Sequence, residues 1–150
     1  MNIIEDAKNL LAKESDAVAN MANLSALIFN TLPKLNWAGF YVFKDGELVL
    51  GPFQGKPACV RIKIGRGVCG TSARKRETIV VPDVHQFPGH IACDGASESE
   101  IVVPIIKNGV LFGVLDVDSP IKNRFSSEDK KMFEELVEIL INKTDLVLVN

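Results

Sequence analysis

The sequence has 150 residues, of which 47% are hydrophobic and 24% charged, and its formal net charge at pH 7 is −2. These values are typical of one globular domain with a substantial core, and we expect a single domain over residues 1–150. The sequence lacks a basic block that could track a phosphate backbone, so we expect no nucleic-acid partner. It also lacks an apolar stretch of membrane-span length and a signal peptide, which favours a cytoplasmic protein without a membrane partner.

Two long helices and one short helix are predicted from the spacing of apolar residues. The N-terminal helix occupies residues 1–32, where apolar residues recur at steps of three and four until Pro33 ends the pattern. A short helix is expected near residues 69–76. The C-terminal helix spans 126–144, and either Ser126 or Ser127 can cap its first turn.

β-branched and aromatic runs predict six strands, at residues 37–43, 47–50, 59–64, 78–81, 101–106 and 110–118. Asp45-Gly46 and Asn108-Gly109 are strong signals for two-residue hairpin turns. Two hairpins require antiparallel pairing, so a doubly wound parallel sheet is excluded. We therefore expect an α+β domain, with the terminal helices packed on one face of a central antiparallel sheet.

The glycine-rich segment GRGVCG at residues 65–70 matches a dinucleotide-binding motif by its letters alone. That motif needs a strand–helix–strand unit of roughly thirty residues with an acidic residue about twenty positions later. Here the next strand comes too soon, and Asp83 follows Pro82 in a loop. A tight glycine turn that opens a helix is the favoured interpretation.

The sequence contains three cysteines, Cys59, Cys69 and Cys93, and two histidines, His85 and His90. An odd number of cysteines in a reducing compartment argues against a structural disulfide framework. Because the spacing gives no C-x-x-C pair, we expect no metal site. The cysteines are therefore either passive buried residues or a redox set.

The longest irregular segment, residues 82–100, contains Cys93 and both histidines, and segments of this kind are often functional loops. A reactive and a passive thiol are equally well supported at Cys93, because its exposure is not known from sequence. A Cys–His hydrolase could use His85 or His90 as its base, but no oxyanion motif or third partner accompanies them. Two solvated loop histidines are the favoured interpretation.

Asp116 and Asp118 lie two residues apart on a predicted strand, so their side chains share a face. If that face lines a pocket, the two carboxyl groups raise each other's pKa, and Glu100 could join them. Such a cluster could bind an ammonium group or protonate a leaving oxygen. Trp37 and Tyr41 similarly share a face; they are either core residues or an aromatic wall around a small polarisable group.

The combination of these segments resembles the free methionine-(R)-sulfoxide reductases, which are single-domain GAF proteins. The matching segments are NWAGFYVF, LVLGPFQGKPACVRIKIGRGVCGT, DVHQFPGHIACDGASESEIVVPI, GVLDVDS and RFSSED, and all three cysteines have the family's spacing. The resemblance implies a GAF-like fold and reduction of free L-methionine-(R)-sulfoxide to L-methionine.

The resemblance also implies roles for the cysteines. Cys93 would attack the sulfoxide sulfur and become a sulfenic acid, and Cys59 would condense with it to a disulfide that thioredoxin reduces. Cys69 would be a second, auxiliary resolving thiol, and the order in which Cys59 and Cys69 act stays open. No metal or organic cofactor is implied, because thiols supply the electrons.

The substrate-binding residues implied by the resemblance form three groups. Trp37 and Tyr41 would cover the S-methyl group. The acidic residues Glu100, Asp116 and Asp118 would hold the sulfoxide oxygen through a proton and meet the amino group, with the carrier of the proton left open. Backbone amides of residues 92–97 would receive the carboxylate, which gives Ala92, Asp94 and Ser97 as candidates.

Two other functions remain open from the sequence alone. A GAF-like sensor would hold a small ligand without turnover, because the fold by itself does not decide function. A thiol switch would pair Cys59 with Cys93 in response to oxidant and release no methionine. The apolar stripes of the terminal helices also permit a homodimer.

Overall fold

The computed structural model describes residues 2–91 and 95–146. Its strands, in chain order, are β1 (Trp37–Lys44), β2 (Glu47–Gly55), β3 (Arg61–Lys63), β4 (Ile79–Val81), β5 (Ser99–Lys107) and β6 (Val110–Ser119). They form one sheet in the order β3-β2-β1-β6-β5-β4, and every neighbouring pair is antiparallel. The predicted α+β class with a central antiparallel sheet is therefore confirmed.

The two hairpin turns have the backbone geometry that their sequences predict. Asp45 and Gly46 have φ angles of 52° and 79°, and Asn108 and Gly109 have φ angles of 53° and 77°. Positive φ at both central residues matches the right-handed twist of the strands on either side. These turns fix the register of β1 with β2 and of β5 with β6.

The described helices are α1 (Ile3–Leu11), α2 (Ala17–Thr31), α3 (Gly67–Lys75) and α4 (Ser127–Lys143), with a 3₁₀ turn at Val84–Gln86. Helices α1, α2 and α4 pack on one face of the sheet, as expected. Their apolar stripes meet the sheet in a core that includes Leu11, Leu24, Ile28, Phe40, Leu115, Phe133 and Leu140, all fully buried. None of the described helices has the length and apolar character needed to cross a bilayer.

The prediction of one continuous N-terminal helix is wrong, because the chain breaks between α1 and α2. Asp16 is the N-cap of α2, and its carboxylate accepts a hydrogen bond from the Ala19 amide at 2.9 Å. The carboxylate of Glu14 accepts hydrogen bonds from the amides of Ser15 and Asp16. These local bonds compete with the helical ladder and allow the two helices to follow the sheet separately.

The opposite face of the sheet is covered by α3 and by the segment around the 3₁₀ turn. Gly65 and Gly67, with φ angles of +88° and +62°, make the tight turn that leads into α3. A Cβ at Gly70 would lie 2.5 Å from the Lys63 carbonyl oxygen, so only glycine allows this approach to β3. The glycine-rich segment therefore forms a tight turn and a close packing contact, which confirms the favoured interpretation.

Candidate active site

The register of the central strands places the predicted acidic and aromatic residues on one face. Trp37 of β1 lies opposite Asp118 of β6, and Glu100 of β5 lies opposite the same aspartate. Asp116 lies opposite Gly39, between Trp37 and Tyr41 along β1. Side chains of alternate strand residues share a face, so all these groups point toward α3.

These residues line a pocket between the sheet and α3. Both predicted groups of side chains therefore line a cavity rather than a solvated surface. The pocket brings together seven of the predicted site residues: Trp37, Tyr41, Cys69, Ser97, Glu100, Asp116 and Asp118.

The aromatic wall is built on β1. The rings of Trp37 and Tyr41 are stacked with centroids 6.0 Å apart, and Phe53 of β2 also stacks on Trp37, with centroids 5.1 Å apart. Trp37 Nε1 donates a hydrogen bond to the Lys56 carbonyl, and Tyr41 Oη donates one to the Cys59 carbonyl at 2.8 Å. Both rings are buried, so they belong to the core of this face and also form one wall of the pocket.

The acidic wall consists of Glu100, Asp116 and Asp118, which are 6%, 7% and 8% exposed. Burial, followed by the charges of Asp116 and Asp118, raises the pKa of Glu100 well above its usual range. Burial also raises the pKa of Asp116, an effect that hydrogen bonds with neighbouring groups oppose. This environment favours the retention of a proton near neutral pH by the carboxyl groups of Glu100 and Asp116 together.

One atom of this wall is left without a donor. Asp116 Oδ1 is buried and accepts no hydrogen bond from any residue that the structure describes. A buried carboxylate oxygen without a donor is costly, so an incoming group that carries a proton or a positive charge is favoured here. The pocket is therefore suited to a ligand with an ammonium group or a protonated oxygen.

The cysteines have different environments. Cys69, on α3, carries a free thiol that is 4% exposed. Burial, followed by the nearby charge of Asp116, raises the pKa of this thiol well above its usual range, which makes it a poor nucleophile. Cys59 precedes β3, is half-buried and is disulfide-bonded. The predicted residues Ala92, Cys93 and Asp94 lie outside the described residues.

The two histidines also differ, and the prediction that both are solvated is wrong for His90. The His85 side chain is 62% exposed, and its Nδ1 lies 3.0 Å from Asp83 Oδ1. The His90 side chain is 17% exposed and lines the pocket, with its Nε2 3.8 Å from Glu100 Oε1. Burial, followed by the charge of His85, lowers the pKa of His90 and favours its neutral form.

Sequence reasoning missed several other residues of the pocket. Arg66 lies at its rim as the N-cap of α3, and the remaining missed residues are Ala58, Ile62, Gly67, Val68 and Ile91. The glycine-rich segment was a usable signal for Arg66 and Gly67, since glycines before a helix often mark a close approach to a ligand. Ser97, which was predicted, accepts a hydrogen bond from Asn36 Nδ2 at 3.1 Å.

Comparison with known proteins gives consistent matches over nearly the whole chain. A family model described as GAF domain matches residues 6–142. The free methionine-R-sulfoxide reductase of Escherichia coli (strain K12) is 52% identical over 132 residues, which are 88% of this chain and 80% of that protein.

Solved structures agree with the sequence matches. The structure of fRMsr of Staphylococcus aureus in complex with substrate gives a TM-score of 0.90 at 50% identity, covering 94% of this chain and 92% of that chain. The free methionine-R-sulfoxide reductase from Neisseria meningitidis, in complex with its substrate, gives a TM-score of 0.91 at 43% identity, covering 94% of this chain and 85% of that chain. The chain therefore belongs to the GAF-domain family of free methionine-R-sulfoxide reductases.

Proposed function

We propose that this protein reduces free L-methionine-(R)-sulfoxide to L-methionine, with Cys93 as the nucleophile. The observation that carries the proposal is that the buried acidic wall of Glu100, Asp116 and Asp118 and the stacked rings of Trp37 and Tyr41 line the same small pocket. The relatives from Staphylococcus aureus and Neisseria meningitidis, both solved with their substrate, support it at 50% and 43% identity.

The acidic wall supplies the proton that the first step needs. The thiolate of Cys93 bonds to the sulfoxide sulfur, the protonated oxygen moves from that sulfur to the Cys93 sulfur, and the bond between the two sulfurs breaks, so that Cys93 becomes a sulfenic acid and methionine leaves. Oxygen departs from the substrate sulfur only when it is protonated, and the protonated Glu100 is the best placed donor. General acid assistance of this kind accelerates a reaction by roughly 10²- to 10⁴-fold.

Cys59 resolves the sulfenic acid in this proposal. Its thiol attacks the Cys93 sulfur, water leaves, and a Cys59–Cys93 disulfide forms, which thioredoxin then reduces by thiol–disulfide exchange. Two properties favour Cys59 over Cys69 in this role. Cys59 is half-buried and disulfide-bonded, whereas the Cys69 thiol is free, buried and held protonated by its acidic neighbours.

The substrate pose follows from the walls of the pocket. The S-methyl group packs against Trp37 and Tyr41, the sulfoxide oxygen meets Glu100 and Asp116, and the ammonium group meets Asp118. The carboxylate is received by backbone amides of residues 92–97, close to Ser97. Both ends of the amino acid are then enclosed, so a peptide chain has no exit and only the free amino acid is accepted.

One coupled assay tests the activity and separates it from the alternatives. NADPH oxidation is followed in the presence of thioredoxin and thioredoxin reductase. The substrates compared are free methionine-(R)-sulfoxide, its (S) epimer and a peptide-bound sulfoxide. We expect turnover of the free (R) form alone. A sensor would bind the free sulfoxide without consuming NADPH, and a thiol switch would form its disulfide with peroxide but release no methionine. Equal turnover of the peptide form would contradict the closed pocket.

Two cysteine variants test the division of roles. Cys93→Ser should abolish methionine release even in a single turnover of the reduced enzyme. Cys59→Ser should release one methionine per site and then stop, because the sulfenic acid has no resolving partner. If Cys59→Ser also blocks the first methionine, the two roles are misassigned.

We also propose that the protein acts in the cytoplasm as a homodimer. The free thiol of Cys69 and the need for thioredoxin both favour a reducing compartment. Leu10 of α1 and Val18 of α2 are 43% and 63% exposed, which gives the terminal helices an apolar surface for a second copy. Light scattering coupled to size exclusion should give twice the chain mass, and Val18→Glu should reduce it to that of a monomer; a monomeric wild type would contradict the dimer.

A further inference from the structure

A side-chain cluster at the floor of the pocket has the composition of a metal site. Cys69 Sγ and one carboxylate oxygen from each of Glu100 and Asp116 all lie within 4.8 Å of one another, and all three residues are buried. We propose that the reduced protein binds a thiophilic divalent cation such as Zn²⁺ through these three side chains, and that the cation excludes the substrate.

A second, independent observation points to a missing ligand at this place. Asp116 is 7% exposed and lines the pocket, and its Oδ1 receives no hydrogen bond from residues 2–91 or 95–146. This oxygen is therefore a buried acceptor without a donor, on a residue that belongs to the cluster and lines the pocket. A cation bonded to this oxygen would remove the cost of leaving it unpaired.

The donor set selects the kind of cation. One thiolate and two carboxylates are typical ligands for Zn²⁺ and related transition ions, whereas Mg²⁺ and Ca²⁺ prefer oxygen alone. In a tetrahedral zinc site, ligand distances of about 2.0–2.3 Å separate neighbouring donors by roughly 3.3–3.8 Å. The three donors lie within 4.8 Å of one another and need to approach by at most about 1.5 Å, and a fourth position stays open toward the pocket.

Sequence spacing could not reveal this cluster, because its three donors come from three different elements. Cys69 is on α3, Glu100 on β5 and Asp116 on β6, and the sheet register brings the two carboxylates together beneath the helix. On binding, the cation displaces both the thiol proton of Cys69 and the proton held by the acidic wall at Glu100, and both are released to solvent. It then occupies the place where the sulfoxide oxygen would meet Glu100 and Asp116.

Cobalt is the probe that tests the binding, because thiolate coordination to Co²⁺ gives a charge-transfer band in the near ultraviolet. The protein is the reduced double variant Cys59→Ser/Cys93→Ser, in which Cys69 is the only thiol. We expect one Co²⁺ per chain, a charge-transfer band, visible absorption of tetrahedral intensity, and displacement of Co²⁺ by Zn²⁺ but not by Mg²⁺.

The matched control adds Cys69→Ser to the same background, which should remove the charge-transfer band while far-ultraviolet circular dichroism stays unchanged. Should that triple variant fail to fold, the double variant provides a second measurement: Zn²⁺ should protect its single thiol from alkylation by at least ten-fold. A band that survives Cys69→Ser in folded protein, or alkylation unaffected by Zn²⁺, would overturn the proposal.

The inhibition rests on the proposed function, whereas the binding does not, so the two can fail separately. Reduced wild-type enzyme without thioredoxin is given free methionine-(R)-sulfoxide, and methionine release in one turnover is measured with and without Zn²⁺. We expect at least a ten-fold loss of rate that excess substrate relieves. Cobalt bound at Cys69 with no loss of methionine release would show that the cation does not exclude the substrate.

Discussion

The hydroxyl of Tyr41 joins the aromatic wall to the backbone of Cys59. It donates a hydrogen bond of 2.8 Å to the Cys59 carbonyl, and burial followed by the charge of Asp116 raises the pKa of Tyr41, so the hydroxyl stays protonated as a donor. Tyr41→Phe keeps the ring and removes only this bond. We expect a loss of about 0.5–1.5 kcal/mol in the free energy of unfolding, measured by denaturant titration.

The same variant distinguishes the contribution of the Tyr41 ring to the first turnover from the contribution of its hydroxyl to the resolving step. Methionine release in the first turnover should change little, because the variant retains the ring that we propose to contact the S-methyl group. Steady thioredoxin-linked turnover should fall several-fold, since the backbone that carries Cys59 is less firmly held. An equal loss in both rates would instead place the hydroxyl in the chemical step.

Glu100 illustrates a conflict between stability and activity. Its pKa in the folded protein is raised above the ordinary value of 4.5, so folding favours its protonated form. The resulting stabilisation is fully present below the ordinary pKa and is lost as the pH rises through the folded-state pKa. The melting temperature of the substrate-free wild type should therefore fall from mildly acidic to mildly alkaline pH.

Glu100→Gln removes this ionisation together with the proposed proton donor. We expect a higher melting temperature than wild type at alkaline pH, a weaker pH dependence, and a loss of roughly 10²-fold or more in kcat/KM. The exposed Glu138 of α4 provides the control, and Glu138→Gln should leave the pH dependence unchanged. A Glu100→Gln protein that melts below wild type at every pH would contradict the interpretation that ionisation of the buried Glu100 destabilises the fold.

Strand alternation explains which residues of the pocket could be predicted. Local strand geometry places Asp116 on the same face as Asp118, and it places Trp37 on the same face as Tyr41. Each pair could therefore be predicted from the sequence. His90 could not be placed in the same way, because its position depends on how an irregular segment folds over the sheet. The environments of the cysteines also depend on tertiary contacts, which is why their resolving order stayed open.

At the level of elements, the shape of the aromatic wall depends on a glycine in β1. The pairing of β1 with β2 shifts register between Gly39 and Tyr41, as in a β-bulge. A Cβ at Gly39 would overlap the Cβ of Phe53 and lie 2.9 Å from Trp37 Cη2. We expect Gly39→Ala to raise KM for free methionine sulfoxide and to cost about 1–3 kcal/mol of stability through overpacking.

Gly51 of β2 is the matched control in the same hairpin. A Cβ there would lie 3.2 Å from the Phe40 carbonyl oxygen and 3.3 Å from Val42 Cγ2, so small shifts can accommodate it. Gly51→Ala should therefore change stability less than Gly39→Ala and leave KM near the wild-type value. Equal effects of both variants on KM would contradict a specific role for the Gly39 gap.

The elements themselves were predictable to different degrees. The strands and both hairpin turns follow from alternation and from Asp-Gly and Asn-Gly pairs, which are local signals. The break between α1 and α2 was not predicted, because the apolar period continues across it. It is fixed by side-chain bonds of Glu14 and Asp16 and by a long-range bond from the Asp145 amide to the Ser15 carbonyl at 2.9 Å.

At the scale of the whole molecule, the sheet separates two hydrophobic cores, and only one of them also contributes residues to the pocket. The face toward α1, α2 and α4 buries large aliphatic and aromatic side chains, and no pocket-lining residue belongs to that core as the structure describes it. The other face combines a smaller core with the pocket, so Trp37, Tyr41 and Cys69 belong to both. Stability and ligand binding should therefore respond differently to substitutions on the two faces.

Two adjacent residues of β6 test this separation. Leu115 and Val114 are both fully buried, but Leu115 belongs to the helix-side core and Val114 packs in the pocket-side core, opposite Tyr41 in register. Leu115→Ala should cost about 2–5 kcal/mol and Val114→Ala about 1.5–3 kcal/mol in the free energy of unfolding. Although Val114→Ala costs less free energy of unfolding, it should raise KM several-fold, because the Tyr41 ring loses a packing contact. KM is measured in steady-state assays well below the melting temperatures of both variants. Leu115→Ala should leave KM near wild type, and a larger rise in KM for Leu115→Ala than for Val114→Ala would show that the two faces are coupled.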